Sequence, residues 1–290
     1  MTSADFGMTG HGFDMEVRRM RRRNTATDRK TTGTTGAPTD ARTNAAGPVA
    51  PTEPGGDGTW RIGLDGVAAG YPGHPVLSGL TARLPAAANT VLVGPNGSGK
   101  STLLAVLAGV RPVTSGTVTH HAGGRPAFVA QRAAVPDALP LTVRDTVAMG
   151  RWDRLGPWRR MSARDRSVVD ACMARLGITG LADRRLGDLS GGQRQRALVA
   201  QGLAQESGLL LLDEPTTGLD AAARRIITEV LADAVADGVT VVQATHDMAA
   251  ARRADHCLLL DQGRLAASGP PATVLSDAAL VRVWGLDGDR

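Results

Sequence analysis

One short segment, Gly94-Pro95-Asn96-Gly97-Ser98-Gly99-Lys100-Ser101, constrains this chain more than any other. It fits the pattern G-x-x-x-x-G-K-[ST]. It follows the apolar run Thr90-Val91-Leu92-Val93 and opens a helical stretch from Thr102 to Ala108. Glycines at these places let successive backbone N–H groups curl around phosphate oxygens, and the helix start adds a favourable dipole. Lys100 offers a point charge for β- and γ-phosphates, and Ser101 offers a hydroxyl for Mg²⁺. Of 33 basic residues only two, Lys30 and Lys100, are lysine, so finding one of them at this position carries weight. A strand–loop–helix unit of an α/β layer that binds a nucleotide is expected here.

A second strand of the same kind ends in acid. Leu209-Leu210-Leu211-Leu212 runs into Asp213-Glu214. Continuous apolar strands are buried on both faces, and open α/β sheets bind ligands at strand ends. Asp213 beside a phosphate loop suits a Mg²⁺ contact, direct or through water. Glu214 is then placed to orient or deprotonate an attacking water. Further on, Leu189-Ser190-Gly191-Gly192-Gln193 precedes a long helical stretch from Arg194 to Gln205. Ser190 is a good N-cap and the glycines expose backbone at the helix start, making a second potential phosphate site.

Around these motifs the apolar runs Val239 to Ala244 and His256 to Leu260 alternate with helical segments near 101–108, 221–236 and 271–284. The pattern predicts one α/β domain over 59–290 with a mainly parallel sheet. Between about 132 and 190 strands give way to helices at 142–149 and 162–177, which reads as a helical insertion. Residues 1–58 are rich in Gly, Thr, Pro and Ala without an apolar period, and are expected to form a disordered tail. No apolar run approaches the roughly 20 residues that span a bilayer. Cys172 and Cys257 lie far apart without metal-ligand spacing, so a disulfide framework is excluded and a reducing cytosolic setting is expected.

The net charge of +5 is built almost wholly from arginine, as a compositional bias would produce. With one Tyr and three Phe there is no base-stacking surface, and no nucleic-acid partner is expected. Residues 144–196 carry twelve Arg against six acidic residues. Such an excess fits a solvated helical face, or a surface turned to a membrane or an acidic partner segment.

Phosphate loop, Leu-Ser-Gly-Gly-Gln and Leu209 to Asp220 together resemble the ATP-binding cassette (ABC) ATPases over about residues 60–275. The resemblance implies a P-loop NTPase fold: a RecA-like α/β core, an antiparallel β subdomain and an inserted helical subdomain. It implies ATP and Mg²⁺ as cofactors. It also implies a homodimer of ATPase subunits, with each ATP held between one chain's phosphate loop and the other's Ser190-Gly191-Gly192-Gln193. Residue by residue, Tyr71 would stack on adenine, and Gly94 to Ser101 with Thr102 would hold the phosphates. Ser101, Gln131 and Asp213 would meet Mg²⁺, Glu214 would act as the base, His246 would contact the γ-phosphate, and Gly218-Leu219-Asp220 would form the D-loop.

The segment in which Pro140-Leu141-Thr142-Val143 leads to Met149-Gly150-Arg151 resembles ATPases of zinc and manganese importers, with siderophore-iron importers as the runner-up. That resemblance implies transmembrane permease subunits, an extracytoplasmic metal-binding protein, and a place on the cytoplasmic face of the membrane. A soluble ATPase acting on nucleic acid or ribosomes is the alternative from another class. A single cassette with no inserted coiled coil speaks against it. Adjacent His120 and His121 point to opposite faces of a strand and do not make a metal site.

Overall fold

The computed structural model describes residues 60–131, 140–155 and 160–284. The expected tail at 1–58 and the stretch 132–139 lie outside the described residues.

Two sheets enclose one helix. The larger has six strands in the order β5 (Ala127–Val129), β6 (Leu209–Asp213), β7 (Thr240–Ala244), β3 (Asn89–Val93), β8 (His256–Asp261) and β9 (Arg264–Gly269). All neighbours are parallel except the final β8–β9 hairpin. The smaller is antiparallel, with β1 (Trp60–Tyr71) between β2 (His74–Pro85) and β4 (Ser115–His120). Helix α1 (Lys100–Leu107) lies between them. Its Leu103, Leu104 and Leu107 pack with Leu92 and Leu211 of the large sheet and with Ile62, Leu64, Leu77 and Leu84 of the small one. Strands β3, β6, β7 and β8 are apolar nearly throughout because helices or the small sheet cover both their faces.

Among the described residues no strand occurs between Val129 and Leu209. This part is built from α2 (Val143–Ala148), α3 (Trp152–Leu155), α4 (Ala163–Arg175) and α5 (Gly191–Ala204). Three of the four begin with the same device. Thr142 with Asp145, Ser162 with Asp165, and Ser190 with Gln193 form reciprocal capping boxes, each satisfying two otherwise orphaned N–H groups. Helix α6 (Ala221–Ala236) matches the sequence expectation. The expected helix 271–284 is instead two pieces, α8 (Pro271–Val274) and α9 (Asp277–Trp284). The break falls at Leu275, which leaves helical geometry (ψ 36) and is 1% exposed, packed with Val274 and Ala251. Burying that side chain wins over continuing the helix.

Arg151 ties the helical part together. It is 1% exposed, and its guanidinium donates to Asp165 Oδ1, to the Ala204 carbonyl at the end of α5, and to Glu206 Oε2. Gly150 is required beside it, because a Cβ there would lie 2.3 Å from the Gln201 carbonyl oxygen. Hydrogen bonds from Ser162 hold the Asp165 carboxyl down at about 2, with Arg151 adding to the effect. Removing one partner of a buried, hydrogen-bonded charge network is strongly destabilising. Arg151→Ala should therefore lower the melting temperature by about 6–10 °C in a thermal-shift assay. A change below about 2 °C would show that the network contributes nothing to stability.

Part of the local arginine excess has a structural explanation. Arg144 pairs with Asp170, Arg154 with Glu206, Arg175 reaches Asp233 on α6 and Asp237 just past its end, and Arg196 donates to the Leu176 carbonyl. These arginines pin helices to one another.

Candidate nucleotide-binding and hydrolysis site

The phosphate loop spans the end of β3 and the start of α1. Gly94, Gly97 and Gly99 adopt φ of 150°, 80° and 100°. Gly94 is also sterically required, and Gly99 sits close against its neighbour. A Cβ on Gly94 would lie 2.1 Å from the Leu260 carbonyl oxygen, and one on Gly99 would lie 2.6 Å from Leu77 Cδ2. The loop is thus wedged between β8 and β2. A hairpin turn braces it: the Gly263 N–H donates to the Ser98 carbonyl, and the Gly263 carbonyl accepts from the Ser78 N–H. That turn also demands glycine, since a Cβ would fall 1.8 Å from the Val76 carbonyl oxygen.

Lys100 is 7% exposed, and its ammonium donates to the Gly94 and Pro95 carbonyls at 2.9 Å each. Burial pushes its pKa down, while Glu214 and Asp213 push it up. Asp213, 6% exposed at the end of β6, is pushed up by burial. A hydrogen bond from the Ser101 hydroxyl and the charge of Lys100 oppose that shift. Ser98 Oγ is buried without a hydrogen-bond partner. A loop of glycine N–H groups, one buried ammonium, a hydroxyl beside a carboxylate and an unsatisfied hydroxyl make up a donor set for a magnesium-bound polyphosphate.

Beyond the loop, Gly94, Pro95, Asn96, Gln131, Glu214 and His246 line an open cavity of about 840 Å³. Glu214 adopts φ 51°, a left-handed conformation rare for a residue with a side chain. Its N–H donates to the Ala244 carbonyl of β7, which holds it there. Backbone strain of this kind concentrates at functional positions. His246 Nδ1 lies 3.7 Å from Glu214 Oε1, with the histidine side chain 59% exposed and the glutamate 17%. Strand β7, between β6 and β3, delivers His246 into the space between the acidic strand and the phosphate loop.

Tyr71 closes β1 at the turn into β2. The residue is 52% exposed, and the Arg111 guanidinium sits 3.8 Å from the centre of its ring. Arg111 also donates to the Gly70 carbonyl, which fixes it against the strand.

Ser190, Gly191, Gly192 and Gln193 do not line the cavity. They form the start of α5, with the Ser190 N–H donating to Gln193 Oε1 and the Gln193 N–H to Ser190 Oγ. Gly192 approaches α6: a Cβ would be 3.1 Å from the Ala223 Cβ and 3.9 Å from Asp220 Oδ2. Asp220, the last residue of Gly218-Leu219-Asp220, caps α6 through the Ala223 N–H. The segment that resembles a D-loop and the Leu-Ser-Gly-Gly-Gln helix are therefore packed together, away from the phosphate loop's cavity.

Sequence reasoning missed Arg111, Met248, Gly263 and Trp284. Met248 and Trp284 line the cavity, and no local pattern marks them. Gln262-Gly263 signals a turn but not what the turn touches.

The chain also resembles known proteins along most of its length. The ABC transporter family profile matches residues 77–217. The hemin import ATP-binding protein HmuV of Rhodococcus jostii is 39% identical over 252 residues, covering 82% of this chain and 84% of that protein. The zinc transport system ATP-binding protein TroB of Treponema pallidum is 34% identical over 239 residues, covering 78% and 87%. Among solved structures, a metal-chelate type ABC transporter in an inward-facing conformation superposes with a TM-score of 0.71 at 30% identity, covering 79% of this chain and 90% of that one. A phosphate loop wedged between two strands, an acidic strand end beside it and a capped glycine-rich helix thus coincide with similarity along most of the sequence, and the chain belongs to the ABC transporter family as an ATP-binding, ATP-hydrolysing subunit.

Proposed function

We propose that this chain energises the import of a metal, carried as a chelate such as hemin or a siderophore complex, working as a dimer docked on a membrane permease at the cytoplasmic face. No helix among the described residues is long and apolar enough to cross a membrane, so the route for the cargo is assigned to separate permease subunits. An extracytoplasmic binding protein would select the cargo.

One observation carries the dimer. The hydrolysis cavity is open and lined by no residue of Ser190 to Gln193, while the glycine-rich start of α5 lies apart from it in the same chain. A second copy arranged head to tail supplies what the first lacks. In that arrangement the backbone of Gly191 and Gly192 faces the γ-phosphate held by the partner's Lys100. Gly94 to Ser101 and Thr102 hold the phosphates, and the exposed part of Tyr71, stiffened by Arg111, takes the adenine. Ser101, Asp213 and Gln131 would hold Mg²⁺, which supplies charge neutralisation between the β- and γ-oxygens when bound. Glu214 orients the attacking water and accepts its proton, and His246 holds the γ-phosphate oxygens in line.

Two observations favour a chelated metal. The hemin-named relative is more similar than the zinc-named one, 39% against 34% identity. The solved structure that superposes at 0.71 is described as a transporter of metal-chelate type, a cargo not established for it. The second reading, import of free zinc or manganese, rests on the segment from Pro140-Leu141-Thr142-Val143 to Met149-Gly150-Arg151. Uptake in a strain lacking this gene separates them. Hemin or ferric-siderophore uptake should fall at least about tenfold and return with the wild-type gene but not with Lys100→Ala, a residue on which the power stroke depends. Loss of zinc or manganese uptake with hemin and siderophore uptake intact would replace this reading with the second.

A further inference from the structure

Helix α9 ends beside the hydrolysis cavity, and the residue it places there is Trp284. The same indole packs, half-buried, on an apolar cluster that includes Ala251 and Ala254. Ala251 belongs to the short helix α7 (Met248–Arg252), whose Met248 lines the same cavity as Trp284. Asp247, which follows His246 directly, caps α7 by accepting from the Ala249 and Ala250 N–H groups. The Asp247 N–H in turn donates to Thr245 Oγ1, which locks the turn that carries His246. One side chain therefore touches the cavity wall and the cluster that seats the histidine-bearing turn. His246 itself is lightly held: its side chain is 59% exposed, and Glu214 Oε1 lies 3.7 Å from its Nδ1.

We propose that Trp284 is a positioning residue for ATP hydrolysis: its indole forms one wall of the hydrolysis cavity and steadies the turn that aims His246. An indole suits this task. It is large and rigid, and it contributes apolar surface without a charge that would compete for phosphate. A small misplacement of a positioned group costs rate steeply. The proposal rests on the assignment of Glu214 and His246 to the hydrolysis cavity.

Three variants of the full chain test it. Trp284→Ala should lower kcat for ATP hydrolysis about tenfold while KM for ATP stays within about twofold, the pattern of a group that acts on the chemical step. Trp284→Phe, which keeps a flat apolar wall, should restore most of that loss. A Trp284→Ala enzyme with unchanged kcat would overturn the proposal. So would a loss that Phe does not rescue. A third variant has Trp60, Trp152 and Trp158 replaced by Phe, leaving Trp284 as the sole emitter. Its fluorescence should shift when MgATP is added, and an unchanged spectrum at saturating MgATP would also overturn the proposal. The shift should persist when Glu214→Gln is added to that variant. Hydrolysis surviving Glu214→Gln would count against the base assignment, whereas a silent Trp284 counts against the wall, so the two failures are distinguishable.

Discussion

Replacing Glu214 by glutamine should abolish turnover while leaving ATP binding intact, with hydrolysis falling at least about 100-fold. The amide keeps the size of the carboxylate and the strained turn at φ 51°, so the cavity keeps its shape. What is lost is the group that can accept a proton from the attacking water. Bound ATP is then neither hydrolysed nor released by hydrolysis, and the head-to-tail dimer should accumulate. Phosphate release and size-exclusion chromatography with MgATP read the two effects together. Wild-type hydrolysis by this variant would remove Glu214 from the role of base, and a monomer at saturating MgATP would remove the dimer.

Lys100→Ala should act one step earlier, weakening ATP binding by about 10- to 100-fold, the range for one or two lost charge-assisted contacts. The reason lies in how the lysine is held. Its ammonium is nearly buried and bonded to the Gly94 and Pro95 carbonyls, so the charge is already in place when phosphate arrives. Alanine removes the charge and frees two carbonyls that face the loop interior, where they repel phosphate oxygens. A fluorescent nucleotide titration measures this, and unchanged affinity would contradict the assigned role. The contrast between the two variants is informative. One binds and does not turn over, the other hardly binds.

The parts of this site that local sequence could reveal are those in which neighbouring residues do the chemistry. The phosphate loop, the Leu209–Asp213 strand with Glu214 behind it, and the capped glycine pair at 191–192 each carry their physics within a few residues. Strands β3, β6, β7 and β8 were legible for a similar reason, since burial on both faces leaves an unbroken apolar run. The small sheet was reached only through resemblance. Strand β4 is exposed or partly exposed along its whole length, and β1 pairs with β2 through several register shifts, so neither shows clean alternation. The break at Leu275 depends on a pocket made by other elements. Arg111 over Tyr71, and Trp284 on the same cavity as His246, bring together residues 40 and 38 positions apart, which no local pattern encodes.

The three capping boxes differ in charge. At Thr142 and Ser162 the reciprocal partner is an aspartate, whereas at Ser190 it is a glutamine. An aspartate would close the third box equally well, but its negative charge would cancel the positive end of the α5 dipole. The neutral amide satisfies the same N–H and leaves that field intact. The first two helices spend their terminal potential on their own stability, whereas in the dimer proposed above α5 would keep its potential for the anion that the other copy brings.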